Sequence, residues 1–164
     1  DEDEKYAKEC YDLVESLGVK DVEFTGRVNV RDYLGKMDFT LLTSISEGQP
    51  LTILESYAAH KPVITTDVGN CRELIYGNED GFGDAGILTH IMNIEEIAHA
   101  MVNMSINEEN RKRMGEAGYK RVNAFYRIDQ MKDVYREIYK GFSDSQNLSW
   151  TEEPFKISVH EKTM

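Results

Sequence analysis

Glu47 and Glu55 stand eight positions apart, around a Gly48-Gln49-Pro50 turn. A carboxylate in the loop can accept hydrogen bonds from the hydroxyls of a hexose. One in the helix that follows can accept two from the vicinal diol of a ribose. Between them lie the amides near Gln49, Leu51 and Thr52. These are the free N–H groups of a helix start, and with the positive end of the dipole they suit a phosphate. Glu55 lies five residues past Pro50, about 7–8 Å along the axis at 1.5 Å per residue. Gly48 lets the backbone approach a ligand closely. The arrangement suits a sugar nucleotide, with Glu55 on the ribose and Glu47 on the transferred sugar.

Spacing alone carries none of this, because Glu15 and Glu23, Glu108 and Glu116, and Glu153 and Glu161 share it. The competing reading makes Glu55 a solvated helix acid and Glu47 a helper of the dipole, since most acids are surface residues. The neighbours argue otherwise. Leu51, Ile53, Leu54, Tyr57, Ala58 and Ala59 leave this helix little solvated face. The expectation is a buried Glu55, whose desolvation a ligand or nearby donor must offset.

The elements that must position these residues alternate. Tyr6, Cys10, Leu13, Val14 and Leu17 form a helical stripe that stops at Gly18. Val22–Gly26 reads as a short strand ending in a turn, and Val30–Met37 as a short helix. Phe39–Ser44 is apolar on both faces, as expected of a buried parallel strand. Pro50 opens a helix running to about Ala59. Pro62–Thr66 is a second buried strand, and Asp67–Asn70 turns into a helix from Cys71 to Tyr76. After a Gly/Asp loop, Gly86–Thr89 is the last strand. Three helices follow. Asn93 and Glu96 form an N-cap pair for the first, and Gly141 ends the third.

The fold class is therefore α/β, a Rossmann-like parallel sheet flanked by helices, over residues 1–142. Residues 143–164 read as a polar tail with scattered apolar Trp150, Phe155, Ile157 and Val159. Parallel sheets of this kind bind ligands at the carboxyl ends of their strands. Glu47 and Gly69 both follow strand ends, so their loops should open on one rim. Gly69 serves either the site or only its own turn.

Composition narrows the partners. The chain has 164 residues, 40% hydrophobic and 30% charged, with a net charge of −11 and a pI near 4.8. That balance argues against a nucleic-acid surface and disfavours an anionic membrane face. A nucleotide can still be bound locally through backbone amides. Cys10 and Cys71 have no C-x-x-C spacing, and His60, His90, His99 and His160 form no metal-ligand pattern. Reduced thiols, a cytoplasmic setting and no integral membrane segment are expected. No G-x-G-x-x-G follows a strand, and Ser44 and Ser46 lack a G-x-S-x-G elbow, which argues against a dehydrogenase and a serine hydrolase.

The stretch from Ser44 to Gly77, "SISEGQPLTILESYAAHKPVITTDVGNCRELIYG", resembles the signature of retaining glycosyltransferases of family 4, with a GT-B fold. The flanking "FTGRVNVRDYLGKMDFTLLTS" of Phe24–Ser44, the "FGDAG" of Phe82–Gly86 and the "MGEAGYKRV" of Met114–Val122 fit as well. The Gly-Gln-Pro loop looks most like the PelF-type branch, associated with bacterial exopolysaccharide synthesis. The resemblance implies a hexosyltransferase that uses a nucleotide-diphosphate sugar, of UDP-glucose type, and needs no metal or other cofactor. It puts Glu47 on sugar hydroxyls and Glu55 on the ribose diol. It puts the backbone of Gly48, Gln49, Pro50, Leu51 and Thr52 near sugar and phosphate, and the turn Gly26-Arg27-Val28 beside the base.

Against that family pattern the N-terminal acceptor domain and the first two strands of the nucleotide domain are missing. The cationic pair for the diphosphate is missing with them, and Arg27 and Lys61 are poor substitutes by position. The expectation is a partial C-terminal domain, inactive alone, placed in the cytoplasm or at the inner membrane face through a synthesis complex. A non-catalytic nucleotide-binding module, or a protein-interaction module of the same fold, is the alternative.

Overall fold

The computed structural model describes residues 2–144, so the tail assigned from 143 lies, from residue 145 on, outside them. Trp150, Phe155, Ile157 and Val159 lie outside them too. The described chain divides into two compact units, one up to Lys36 and one from Met37.

The first unit carries helix α1, Glu2–Ser16, and a single turn α2, Arg31–Leu34. Gly18 stops α1 as expected. It takes the left-handed conformation at φ 66, and its N–H donates to the Glu15 carbonyl at 3.0 Å. Val22–Gly26 is not a strand, contrary to the sequence reading. An isolated strand has nowhere to send its N–H and C=O groups, and no other strand exists in this unit among the described residues. Phe24 instead packs edge-on against Tyr11 of α1, with ring centroids 4.4 Å apart.

The second unit holds a three-stranded parallel sheet in the order β1 (Thr40–Leu42), β2 (Val63–Thr66), β3 (Gly86–Thr89). All four residues of β2 are buried. Alternation along β2 divides the core: Val63 joins α3 (Leu51–Ala58) and α4 (Cys71–Tyr76), while Ile64 joins α5 (Ile94–Ile106). Helix α6 (Glu108–Phe125) serves both clusters, Met114 one and Ala117 and Val122 the other. Phe39–Ser44, read as buried on both faces, shortens to a half-buried β1 with Leu41 41% exposed. The reason is its place: β1 pairs with β2 on one side, and no described strand covers the other.

Two glycines set how closely α6 can approach. A Cβ on Gly118 would run into the ring of Tyr57, and one on Gly115 into the carbonyl of His60. Tyr57, fully buried in α3, donates its hydroxyl to the Leu74 carbonyl of α4 at 3.0 Å. The Asn93 cap is present, with its side chain accepting from Glu96 N–H at 3.1 Å. The last helix, α7 (Ile128–Asp144), runs through Gly141 rather than ending there. One helical glycine costs about 1 kcal/mol and does not by itself end a helix.

Candidate functional site

The carboxyl ends of β1, β2 and β3 lead into loops 43–50, 67–70 and 90–93. The first two are joined. Gly69, at φ 51, presses its Cα against the Glu47–Gly48 peptide so closely that a Cβ would overlap the Glu47 carbonyl. The Asn70 N–H donates to the Gly48 carbonyl at 2.8 Å. Gly69 is therefore a packing turn, and what it packs against is the loop of Glu47. Gly48 differs: a Cβ there meets nothing within 4 Å, so the fold of the chain does not demand glycine at that position.

Glu47 is half-buried, and its Oε1 accepts from the Ser44 hydroxyl at 2.7 Å. Pro50 is buried and forms the N-cap of α3 in extended backbone, so the helix starts at Leu51, one residue later than expected. No side chain caps this start. The Ile53 N–H donates to the Pro50 carbonyl at 3.3 Å, and the Leu51 and Thr52 N–H groups keep their capacity for an anion. Gln49, Leu51 and Thr52 are exposed beside it, Leu51 by 70%.

Glu55 is exposed, which corrects the burial expected from its neighbours. Ile53, Ser56 and Tyr57 point into the core, and the opposite face of α3 carries Leu51, Thr52, Glu55 and Ala58 in solvent. Apolar residue types had suggested a helix buried all round, but exposed Leu51 and Ala58 are ordinary. The Glu55 carboxylate makes no hydrogen bond or ion pair with any described residue. The structure thus gathers Glu47, Gly48, Gln49, Pro50, Leu51, Thr52 and Glu55 on one loop and one helix. Gly26, Arg27 and Val28 belong to the first unit, where Gly26 has φ 61 and the other two are exposed.

Two groups of residues around this scaffold escaped the sequence reading. Ser44 and Thr66 form a pair of hydroxyls beneath Glu47, with Thr66 donating to the Ser44 carbonyl. Their only sequence signal is a hydroxyl residue at the carboxyl end of adjacent strands. Farther off, Arg121 of α6 is 1% exposed and reaches back to the Gly/Asp loop. It donates to Asp80 at 2.6 and 3.1 Å, and to the carbonyls of Leu74, Ile75 and Gly83 at 2.9, 3.0 and 2.7 Å. The guanidinium beside Asp80 holds its carboxyl below the usual carboxylate range, against the opposing pull of burial. Burial pushes the Tyr57 hydroxyl well above its ordinary value, so it stays a neutral donor. Among the described residues no cluster of three or more His, Cys, Asp or Glu could hold a metal ion. No described helix is long and apolar enough to cross a membrane.

Comparison with known proteins shows the family and the fold. An uncharacterised glycosyltransferase of Methanocaldococcus jannaschii is 29% identical over 145 residues, covering 87% of this chain and 40% of that protein. The N-acetyl-alpha-D-glucosaminyl L-malate synthase of Bacillus anthracis is 32% identical over 129 residues, covering 77% of this chain and 32% of that one. The chain thus spans well under half the length of these relatives. Among solved structures, HepE of Anabaena in complex with UDP superposes with a TM-score of 0.72 at 21% identity, covering 86% of this chain and 37% of the other. Sucrose-phosphate synthase from Thermosynechococcus elongatus gives 0.70 at 22%, covering 82% and 34%. At such identities the likeness is one of fold, that of GT-B glycosyltransferases. Residues 3–121 match the family model described as glycosyl transferases group 1, and the chain belongs to that family.

Proposed function

We propose that this chain is the donor-binding part of a retaining family 4 glycosyltransferase, close to the PelF type. It would move a hexosyl group from a UDP-glucose-type donor to a growing polysaccharide or glycoconjugate. One observation carries the reading: two carboxylates flank an uncapped helix start at the carboxyl rim of a parallel sheet. The family match and the UDP complex of HepE support it.

The roles follow from chemistry. First-turn amides of α3, with backbone near Gly48, Gln49 and Pro50, receive the diphosphate. Thr52 lies in the same turn. Glu55, exposed and unpaired among the described residues, accepts both hydroxyls of the ribose diol. Glu47 accepts from the transferred sugar. The open space over Gly48 is where ligand and backbone approach.

Departure of the nucleoside diphosphate needs its developing charge stabilised. An exposed helix dipole contributes only about 0.3–1 kcal/mol. The reaction therefore requires cations and an acceptor domain from the rest of the protein, and the chain alone is inactive. No metal or other cofactor enters, and the enzyme works in the cytoplasm, either free or at the inner membrane face through a synthesis complex.

Calorimetric titration of the chain with UDP, GDP and ADP tests this. Weak binding that prefers UDP and is lost in Glu55→Ala is expected. An equal response of wild type and variant removes Glu55 from the site. The uncovered outer edge of β1 favours a second reading, a protein-interaction module. Concentration-dependent assembly without any nucleotide binding would support it.

A further inference from the structure

We propose that the hydroxyls of Thr66 and Ser44 position Glu47 before the ligand binds and leave its Oε2 wholly free to accept from the transferred sugar. The sugar assignment rests on the donor reading above; the positioning relay does not. Thr66 closes β2, where it is 1% exposed and in register with Thr89 of β3. Its hydroxyl donates to the Ser44 carbonyl, and the Ser44 hydroxyl donates to Glu47 Oε1 at 2.7 Å. A hydrogen bond to an ionised carboxylate is short and strong, so it selects one orientation of a side chain with several rotors. The backbone is gripped as well, by Gly69 against the Glu47 carbonyl and by Asn70 N–H on the Gly48 carbonyl at 2.8 Å. A carboxylate held at one oxygen, on a loop whose backbone is also fixed, loses little freedom on binding.

The two acids are therefore unlike. Glu55 has both oxygens available and can accept from two adjacent hydroxyls at once. Glu47 has Oε1 engaged and offers Oε2. Ser44 and Thr66 are positioning residues in this scheme and touch no reacting atom.

The first test uses the chain without ligand. The side-chain carboxyl carbon resonances and rotamer couplings of Glu47 and Glu55 are compared by NMR in wild type, Ser44→Ala, Thr66→Val and Thr66→Ser. Ser44→Ala and Thr66→Val should shift Glu47 and average its rotamers. Thr66→Ser, which keeps the donor, should leave Glu47 as in wild type. Glu55 should be unmoved throughout. A Glu47 resonance indifferent to Ser44→Ala and Thr66→Val overturns the relay.

The second test is calorimetry with UDP and UDP-glucose. Ser44→Ala and Thr66→Val should weaken UDP-glucose about tenfold, the scale of one hydrogen bond to a charged group, and leave UDP unchanged. General loosening of the fold would weaken both alike, and that result overturns the sugar assignment. Failure of the wild type to bind UDP at all would sink the donor reading and Glu47's sugar role with it. The resonance test would still decide the relay.

Discussion

At the scale of residues, the two glutamates illustrate how little a residue type says about its surroundings. Both were visible as candidates, and both sit where strand, loop and helix should place them. The loop acid Glu47 is half-buried and hydrogen-bonded, and the helix acid Glu55 is exposed, opposite to the burial expected of it. A carboxylate already in water costs nothing to desolvate until a ligand covers it. Glu55→Gln should therefore leave thermal stability within about 0.5 kcal/mol, as surface changes do, by differential scanning calorimetry. The same variant should weaken UDP binding. A large fall in stability would mean that Glu55 is part of the fold rather than the site.

At the scale of elements, α3 is placed by what passes behind it. Gly118 exists to admit the Tyr57 ring, and Tyr57 ties α3 to the carbonyl of Leu74. Gly118→Ala would force ring or helix to move, an overpacking cost of about 1–3 kcal/mol. The expected outcome is a lower denaturation midpoint with an unchanged slope in urea. Because the far end of α3 carries the site, weaker UDP binding should accompany it. The glycines of α6 were legible in the sequence only as part of the family-like Met114–Val122 stretch. Their purpose depends on a helix about sixty residues away, which no local pattern shows.

At the scale of the whole second unit, Arg121 and Asp80 join the end of α6 to the loop between α4 and β3. Both side chains are almost inaccessible, at 1% and 3% exposure. Breaking such a pair from one side leaves an uncompensated buried charge and costs about 3–5 kcal/mol. Asp80→Asn should therefore unfold more readily at pH 7. Because the folded state lowers the Asp80 carboxyl, its contribution is complete above the unfolded value and is lost as pH falls through the folded one. The stability gap between wild type and Asp80→Asn should thus be widest at neutral pH. It should narrow in acid below about pH 4, where free carboxyls protonate. Urea midpoints across pH measure it, and a gap independent of pH would contradict the pairing.

The sequence by itself determined the periodic features. The order of helices and strands from Met37 on, the Asn93 cap and the strand ends that carry Glu47 and Gly69 all follow from side-chain alternation, caps and turn chemistry acting over a few residues. The rim followed too, because parallel strands put their following loops on one side. Tertiary structure alone decided the rest. It left Val22–Gly26 without a partner, exposed one edge of β1, turned Glu55 to solvent and seated Gly69 against the Glu47 loop. Each of these depends on contacts between residues far apart in the chain, and burial and pairing are properties of such contacts rather than of the residues that enter them.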